Sequence, residues 1–217
     1  MNIQEIIIFI AELIGTVAFS ASGAMVGINR RMDIFGVCVL GVFTAVGGGM
    51  IRDIILGNVP SALTDPTYVI VAFLTALILF SALYIKKELL HGKFRAAYDS
   101  LMLIMDSLGL GIFTAVGILT GIRAGYVENS FLLVFLGTLT GVGGGLMRDI
   151  MAGISPYIFV KHIYALASIA GGCAFVLIYK FFGEIAALIV SSALVFIIRL
   201  LAAHFHWNLP KLKVKAE

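Results

Sequence analysis

The chain reads as an all-α polytopic membrane protein. Three observations carry that expectation: seven apolar segments of spanning length, an internal repeat, and basic residues gathered into alternate loops. At 61% hydrophobic, 12% charged and a mean hydropathy of +1.09, the 217 residues fall outside the soluble globular range, where charged residues run near about 25%. One membrane domain over 1–217 is expected, because the longest connection, 86–100, is too short to fold by itself.

A transmembrane helix needs roughly 20 apolar residues. Segments of that kind run over 6–28, 34–56, 68–85, 101–121, 131–152, 158–179 and 185–203. The first follows a start without a basic region or a small-residue cleavage site, so it is expected to be a retained helix rather than a signal peptide. It carries Glu12-Leu-Ile-Gly-Thr-Val-Ala-Phe-Ser-Ala-Ser-Gly23, which the fourth segment repeats as Asp106-Ser-Leu-Gly-Leu-Gly-Ile-Phe-Thr-Ala-Val-Gly117.

The second segment holds the most improbable stretch, 41–60, which returns in the fifth as 137–156 with eleven of twenty positions identical. Each copy places a glycine triplet, Gly47–Gly49 or Gly143–Gly145, ahead of an Arg-Asp pair, Arg52-Asp53 or Arg148-Asp149. Gly57 and Gly153 stand where a left-handed cap would end the helix, and Pro60 and Pro156 follow. Segments one to three (1–85) and four to six (99–180) are therefore homologous halves, and the seventh, 184–206, has no counterpart. Three crossings per half make the second enter from the opposite side, so the repeats are inverted, an arrangement that brings special helices together at the midplane.

Loop charge gives the orientation. Arg30, Arg31, Lys86, Lys87, Lys93, Arg95, Arg148, Lys161, Arg199, Lys211, Lys213 and Lys215 fall on one side, and Arg52, Arg123 and Lys180 on the other. The positive-inside tendency then puts the N-terminus outside and the C-terminus in the cytoplasm, and the connector 86–95 is read as a solvated topogenic loop. The net charge of +3 reflects topology and headgroup contact, and no basic patch interleaved with aromatics points to nucleic acid.

Glycine costs a helix about 1 kcal/mol relative to alanine, so three in a row are expected to break helices two and five. The freed carbonyls would then offer a monovalent cation site, and the freed amides an anion site. Thr44 and Thr140, one turn earlier, would supplement the carbonyls. Charges inside a span are functional by default, which singles out Glu12, Arg52, Asp53, Asp106, Arg148 and Asp149. Adjacent side chains project about 100° apart on a helix, so the members of an Arg-Asp pair are not expected to face one direction; one arrangement has each arginine reach Glu12 or Asp106 on another helix, and the sequence leaves open which charges pair. Four acids against two arginines favour a cation. Phe19 and Phe113 would form a dewetting constriction, with Ser20 and Ser22 lining the path.

Catalysis has no support, for there is no GxSxG, HExxH or phosphate-binding Gly-Lys-Ser/Thr pattern. Cys38 and Cys173 read as packing residues, and His91, His162, His204 and His206 lack ligand spacing, so no cofactor is expected.

The doubled Gly-Gly-Gly-x-x-Arg-Asp-x-x-x-Gly signature, within three plus three plus one helices, resembles the bacterial branch of the trimeric intracellular cation channel family, also labelled glycine-transporter-like. The resemblance covers nearly the whole chain. It implies a homotrimer in a bacterial inner membrane, each protomer passing potassium and sodium between its inverted halves, with helices two and five kinked at the triplets. A secondary transporter of glycine or another small zwitterion is the alternative.

Overall fold

The computed structural model describes residues 2–86, 95–160 and 163–207. Most of the connector expected over 86–95 lies outside these residues, as do His91, His162 and the basic stretch from Lys211. Among the described residues the architecture is all-helical: α1 (Ile3–Asn29), α2 (Ile34–Ile55), α3 (Ser61–Thr64), α4 (Thr67–Ile85), α5 (Arg95–Arg123), α6 (Ser130–Met151), α7 (Tyr157–Val160) and α8 (Ala165–His204). Six of them are long and apolar enough to cross a membrane.

Seven separate segments were expected, and the difference lies in α8, a 40-residue element that joins the sixth and seventh. It is not straight. Gly183 leaves the helical region at φ 77°, ψ −173°, and the Ser191 hydroxyl donates to the Gly171 carbonyl at 2.8 Å. Twenty residues of straight helix would hold those two about 30 Å apart, so the chain reverses at Gly183 and limbs 165–182 and 184–204 pack side by side.

Local chemistry sets the ends. The Glu5 amide donates to Asn2 and the Asn2 amide to Glu5, both at 2.8 Å, a capping box that starts α1. Asp33 and Asn129 accept from the amides of Gly36 and Leu132 to start α2 and α6. Gly57 (φ 76°) and Gly153 (φ 64°) end those two helices in the left-handed conformation expected of them. Asn58 bonds back to the Asp53 carbonyl, and Ile154 to the Asp149 carbonyl, which satisfies carbonyls the helix ends leave over. A side chain at Gly57 would meet open space. Gly57→Ala is therefore expected to cost only its backbone strain, about 1–2 kcal/mol, as a modest drop of the melting temperature in detergent.

The helices α2 and α6 meet at the centre, α1 and α5 pack beside them and on each other, and α4 and α8 complete the bundle. Large apolar side chains such as Phe35, Ile78, Phe131 and Phe181 stay exposed on the outer faces, as lipid contact requires.

Both glycine triplets lie within α-helix, so the expected breaks in the second and fifth segments are corrected. The triplets serve close approach instead. A Cβ on Gly48 would collide with the Thr140 carbonyl oxygen, and a Cβ on Gly144 with the Thr44 carbonyl oxygen. These reciprocal contacts relate the two halves as a two-fold axis would. The helical cost of glycine is offset because two backbones can touch, the use small residues commonly serve between membrane helices. A carbonyl cation site at Gly47–Gly49 or Gly143–Gly145 loses its premise with the break. Thr44 and Thr140 do not extend such a site either, because their hydroxyls donate to Leu40 and Leu136 of their own helices at 2.6 Å.

Candidate functional site

The Arg-Asp pairs bond within themselves, contrary to the expectation from side-chain direction, while the expected reach to an acid on another helix holds for Arg148, which also bonds Asp106. Arg52 Nε and Nη2 donate to Asp53 Oδ1 at 2.9 and 2.7 Å, and Arg148 Nε donates to Asp149 Oδ1 at 2.8 Å. The Cβ directions do diverge, but a flexible four-atom stem lets the guanidinium fold back over its neighbour. Each aspartate then seats the short helix beyond the turn. Asp53 Oδ2 accepts from the Ser61 amide and hydroxyl at 2.8 and 2.9 Å, at the start of α3. Asp149 Oδ2 accepts from the Tyr157 amide at 2.8 Å, at the start of α7.

The two halves differ in what else they bind. Arg148 Nη1 donates to Asp106 of α5 at 2.5 Å and to Ser22 of α1 at 2.7 Å, so one guanidinium ties three helices together. The position equivalent to Ser22 in the other half is Val116, which has no hydroxyl to offer Arg52. Glu12, half-buried, instead accepts from the Tyr68 hydroxyl of α4.

Two cavities flank this arrangement. A small one of about 60 Å³ is bordered by Glu12, Thr16, Gly49, Arg52, Tyr68 and Phe113. A larger one of about 560 Å³ is bordered by Asp106, Arg148, Tyr157, Arg199, Arg95 and Asp99. Through the repeat, Glu12, Arg52 and Ser61 at the small cavity correspond to Asp106, Arg148 and Tyr157 at the larger. Phe19 and Phe113 stack with centroids 5.4 Å apart and planes at 27°, Phe113 facing the small cavity and Phe19 fully buried. Each ring fits over the glycine of the other half's acid-x-x-Gly motif: a Cβ on Gly109 would strike Phe19, and one on Gly15 would press on Phe113 at 3.1 Å. Ser20 does not border either cavity; its hydroxyl donates to the Ala72 carbonyl at 2.6 Å and joins α1 to α4.

Sequence reasoning missed Tyr68, Tyr164 and Arg199. The tyrosines are spaced by the same 96 residues as the triplets, and that spacing is the signal that could have found them. Tyr164 lies 3.5 Å from Asp106 Oδ1 through its hydroxyl, the counterpart of the Tyr68–Glu12 bond. Arg199, which the sequence places among the cytoplasmic loop charges, lies within α8 and is 1% exposed. Its guanidinium sits 4.7 Å over the Tyr164 ring, with Nη2 3.7 Å from Asp106 Oδ2. The interior charge of minus two expected from six residues thus becomes minus one. Arg52 and Arg148 are also buried, so none of these three arginines is a loop charge, and the asymmetry of loop charge survives without them. Cys173 is exposed rather than packed, while Cys38 is buried.

Fold and site together define a polytopic α-helical membrane protein with a charged, two-chambered interior. A family model described as Glycine transporter matches twice, over residues 9–84 and 103–180. A UPF0126 membrane protein of Deinococcus radiodurans is 38% identical over 87% of this chain and 84% of its own length. The UPF0126 inner membrane protein YadS of Escherichia coli K12 is 34% identical over 94% and 95%. Among solved structures, one of a TRIC cation channel is 36% identical, with a TM-score of 0.81 over 96% of this chain and 98% of that one. The trimeric intracellular cation channel orthologue of Rhodobacter sphaeroides is 29% identical, with a TM-score of 0.81 over 93% and 99%. The chain belongs to the bacterial branch of the trimeric intracellular cation (TRIC) channel family, as its doubled signature led us to expect.

Proposed function

We propose that the protein is a passive channel for monovalent cations, potassium and sodium, with a conduction path inside each protomer. The observation that carries this reading is the pair of charge-lined cavities at repeat-related places in the two halves, the smaller of them bordered by Phe113 of the Phe19–Phe113 stack. The path runs from the Glu12 cavity, past the stacked rings, to the Asp106 cavity. The rings form the closed constriction, where apolar walls exclude water until they part. The acidic side chains, rather than the triplet carbonyls, set the preference for cations. Similarity to solved TRIC cation channels over almost the full chain supports the same function. Glycine transport would need opened helix ends to hold a carboxylate, and the triplets are helical.

The reversal at Gly183 supports seven crossings, with limbs 165–182 and 184–204 as the sixth and seventh. The halves are then inverted, the N-terminus lies outside, the C-terminus lies in the cytoplasm, and the Asp106 cavity faces the cytoplasm. Three copies assemble in the bacterial inner membrane, as the family's trimeric structures suggest.

The test is purified protein in a planar bilayer with asymmetric potassium chloride, followed by glycine on one side. Unitary currents reversing near the potassium potential and indifferent to glycine are expected; a silent bilayer with saturable glycine uptake into liposomes would reverse the assignment. Phe113→Ala removes one ring of the constriction from the side of the small cavity. It is expected to raise the open probability or unitary current severalfold, and an unchanged current would locate the gate elsewhere.

A further inference from the structure

Resting on the channel reading, we propose that Arg199 is a charge-setting residue of the conduction path, which makes cation entry unequal from its two ends. The repeat supplies each cavity with two acids and one arginine: Glu12, Asp53 and Arg52 at one end, and Asp106, Asp149 and Arg148 at the other. Left to the repeat, both ends would carry one net negative charge. Arg199 comes from the limb beyond Gly183, which has no equivalent in the first half, and it cancels that charge at the Asp106 end alone. Among the described residues, the other charged groups bordering this cavity, Arg95 and Asp99, pair with each other at 3.3 Å and do not restore it.

The way Arg199 is held favours this role over that of a simple structural tie. Asp106 already has a close partner in Arg148 at 2.5 Å, whereas Arg199 stands 3.7 Å away. Among the described residues, Arg199 Nε and Nη1 find no protein hydrogen-bond partner, although the side chain is buried. No protein group therefore neutralises Arg199 as closely as Asp106 and Asp149 neutralise Arg148, at 2.5 and 2.8 Å. What the position does provide is a fixed positive charge on the wall of the larger cavity, above the Tyr164 ring. There it lowers the local potassium concentration, and the Glu12 end keeps its attraction. A charged cleft changes the local counter-ion supply by about tenfold or more at low ionic strength.

The experiment uses the full chain in planar bilayers with equal potassium chloride on both sides, comparing currents at equal and opposite voltages. The wild type is expected to pass unequal currents at low salt, by up to about tenfold. The inequality fades near 1 M salt, where the screening length falls to about 3 Å. Arg199→Gln is expected to remove most of the inequality and to raise the potassium-to-chloride permeability ratio. Arg199→Lys keeps the charge and is expected to behave as the wild type. Equal wild-type currents at low salt would overturn the proposal, and that comparison needs no variant to fold. So would an Arg199→Gln channel as asymmetric as the wild type, or an Arg199→Lys channel that matches Arg199→Gln. A wild type that passes no current, but takes up glycine saturably in liposomes, fails the channel reading itself and overturns this proposal with it.

Discussion

Gly48→Ala is expected to disrupt the protein, whereas Gly49→Ala, one residue later in the same triplet, should be tolerated. At position 48 the added methyl group would overlap the Thr140 carbonyl oxygen and lie 3.1 Å from the Gly144 amide nitrogen. Both obstacles are backbone of α6, so no side chain can turn away and the two central helices must separate. A carbon and a carbonyl oxygen rest about 3.3 Å apart, so the required shift is on the order of 1 Å across the most tightly packed part of the bundle. Overpacking of this kind costs roughly 3 kcal/mol, and here also loosens the contacts flanking the crossing. At position 49 the methyl group would meet only the Arg52 guanidinium, at 3.6 Å, which is ordinary contact. There alanine recovers about 1 kcal/mol of helical propensity. Melting temperatures in detergent for the two variants decide the matter. If the triplet were a functional helix break, both substitutions would heal it and both would change transport alike. Equal effects would therefore refute the packing role.

That contrast also marks where the sequence was readable and where it was not. The membrane class, the repeat, the caps at Gly57 and Gly153, and the meeting of α2 with α6 all follow from patterns that local chemistry imposes on a chain. Three adjacent glycines are a weaker signal, because the same residues serve an opened helix and a close crossing. What separates the two is whether another backbone lies opposite, and that is a property of the packed bundle. The Arg-Asp pairs show a second limit. Helical projection angles describe Cβ directions faithfully, but a long guanidinium stem can curl back onto Asp53 or Asp149 from there. Arg199 shows a third. A basic residue near the end of an apolar segment is ordinarily topogenic, and only the reversal at Gly183 brings it against Asp106 and Tyr164. Equivalent positions in the halves also diverge, since Ser22 corresponds to Val116. The pseudo-symmetry that made the fold legible thus concealed the differences between the two ends of the site.

Those differences give the last prediction, on the paired acids Asp106 and Glu12. Asp106→Ala is expected to be among the most damaging single changes in the chain. Its carboxylate is 1% exposed, accepts from Arg148 and faces Arg199, so its removal leaves two buried guanidinium groups with a single acid, Asp149, between them. Breaking a buried pair in this way costs about 3–5 kcal/mol, because the charge left behind has lost its solvation without compensation. A sharp fall in melting temperature and a loss of monodisperse protein in detergent are the expected readouts. The double variant Asp106→Ala with Arg199→Leu removes one of the stranded charges and should recover part of the loss. Glu12 occupies the same place in the other half but is half-buried and bonded to Tyr68, with Arg52 supplied by Asp53. Glu12→Gln strands no cation and keeps an acceptor for the tyrosine. Its stability should stay within about 1 kcal/mol of the wild type, while potassium current falls, because the small cavity loses its net charge. The repeat would make the two acids interchangeable. The contacts make one a fastening of the fold and the other an attractor for the ion, and a stable Asp106→Ala beside an unfolded Glu12→Gln would show that assignment to be inverted.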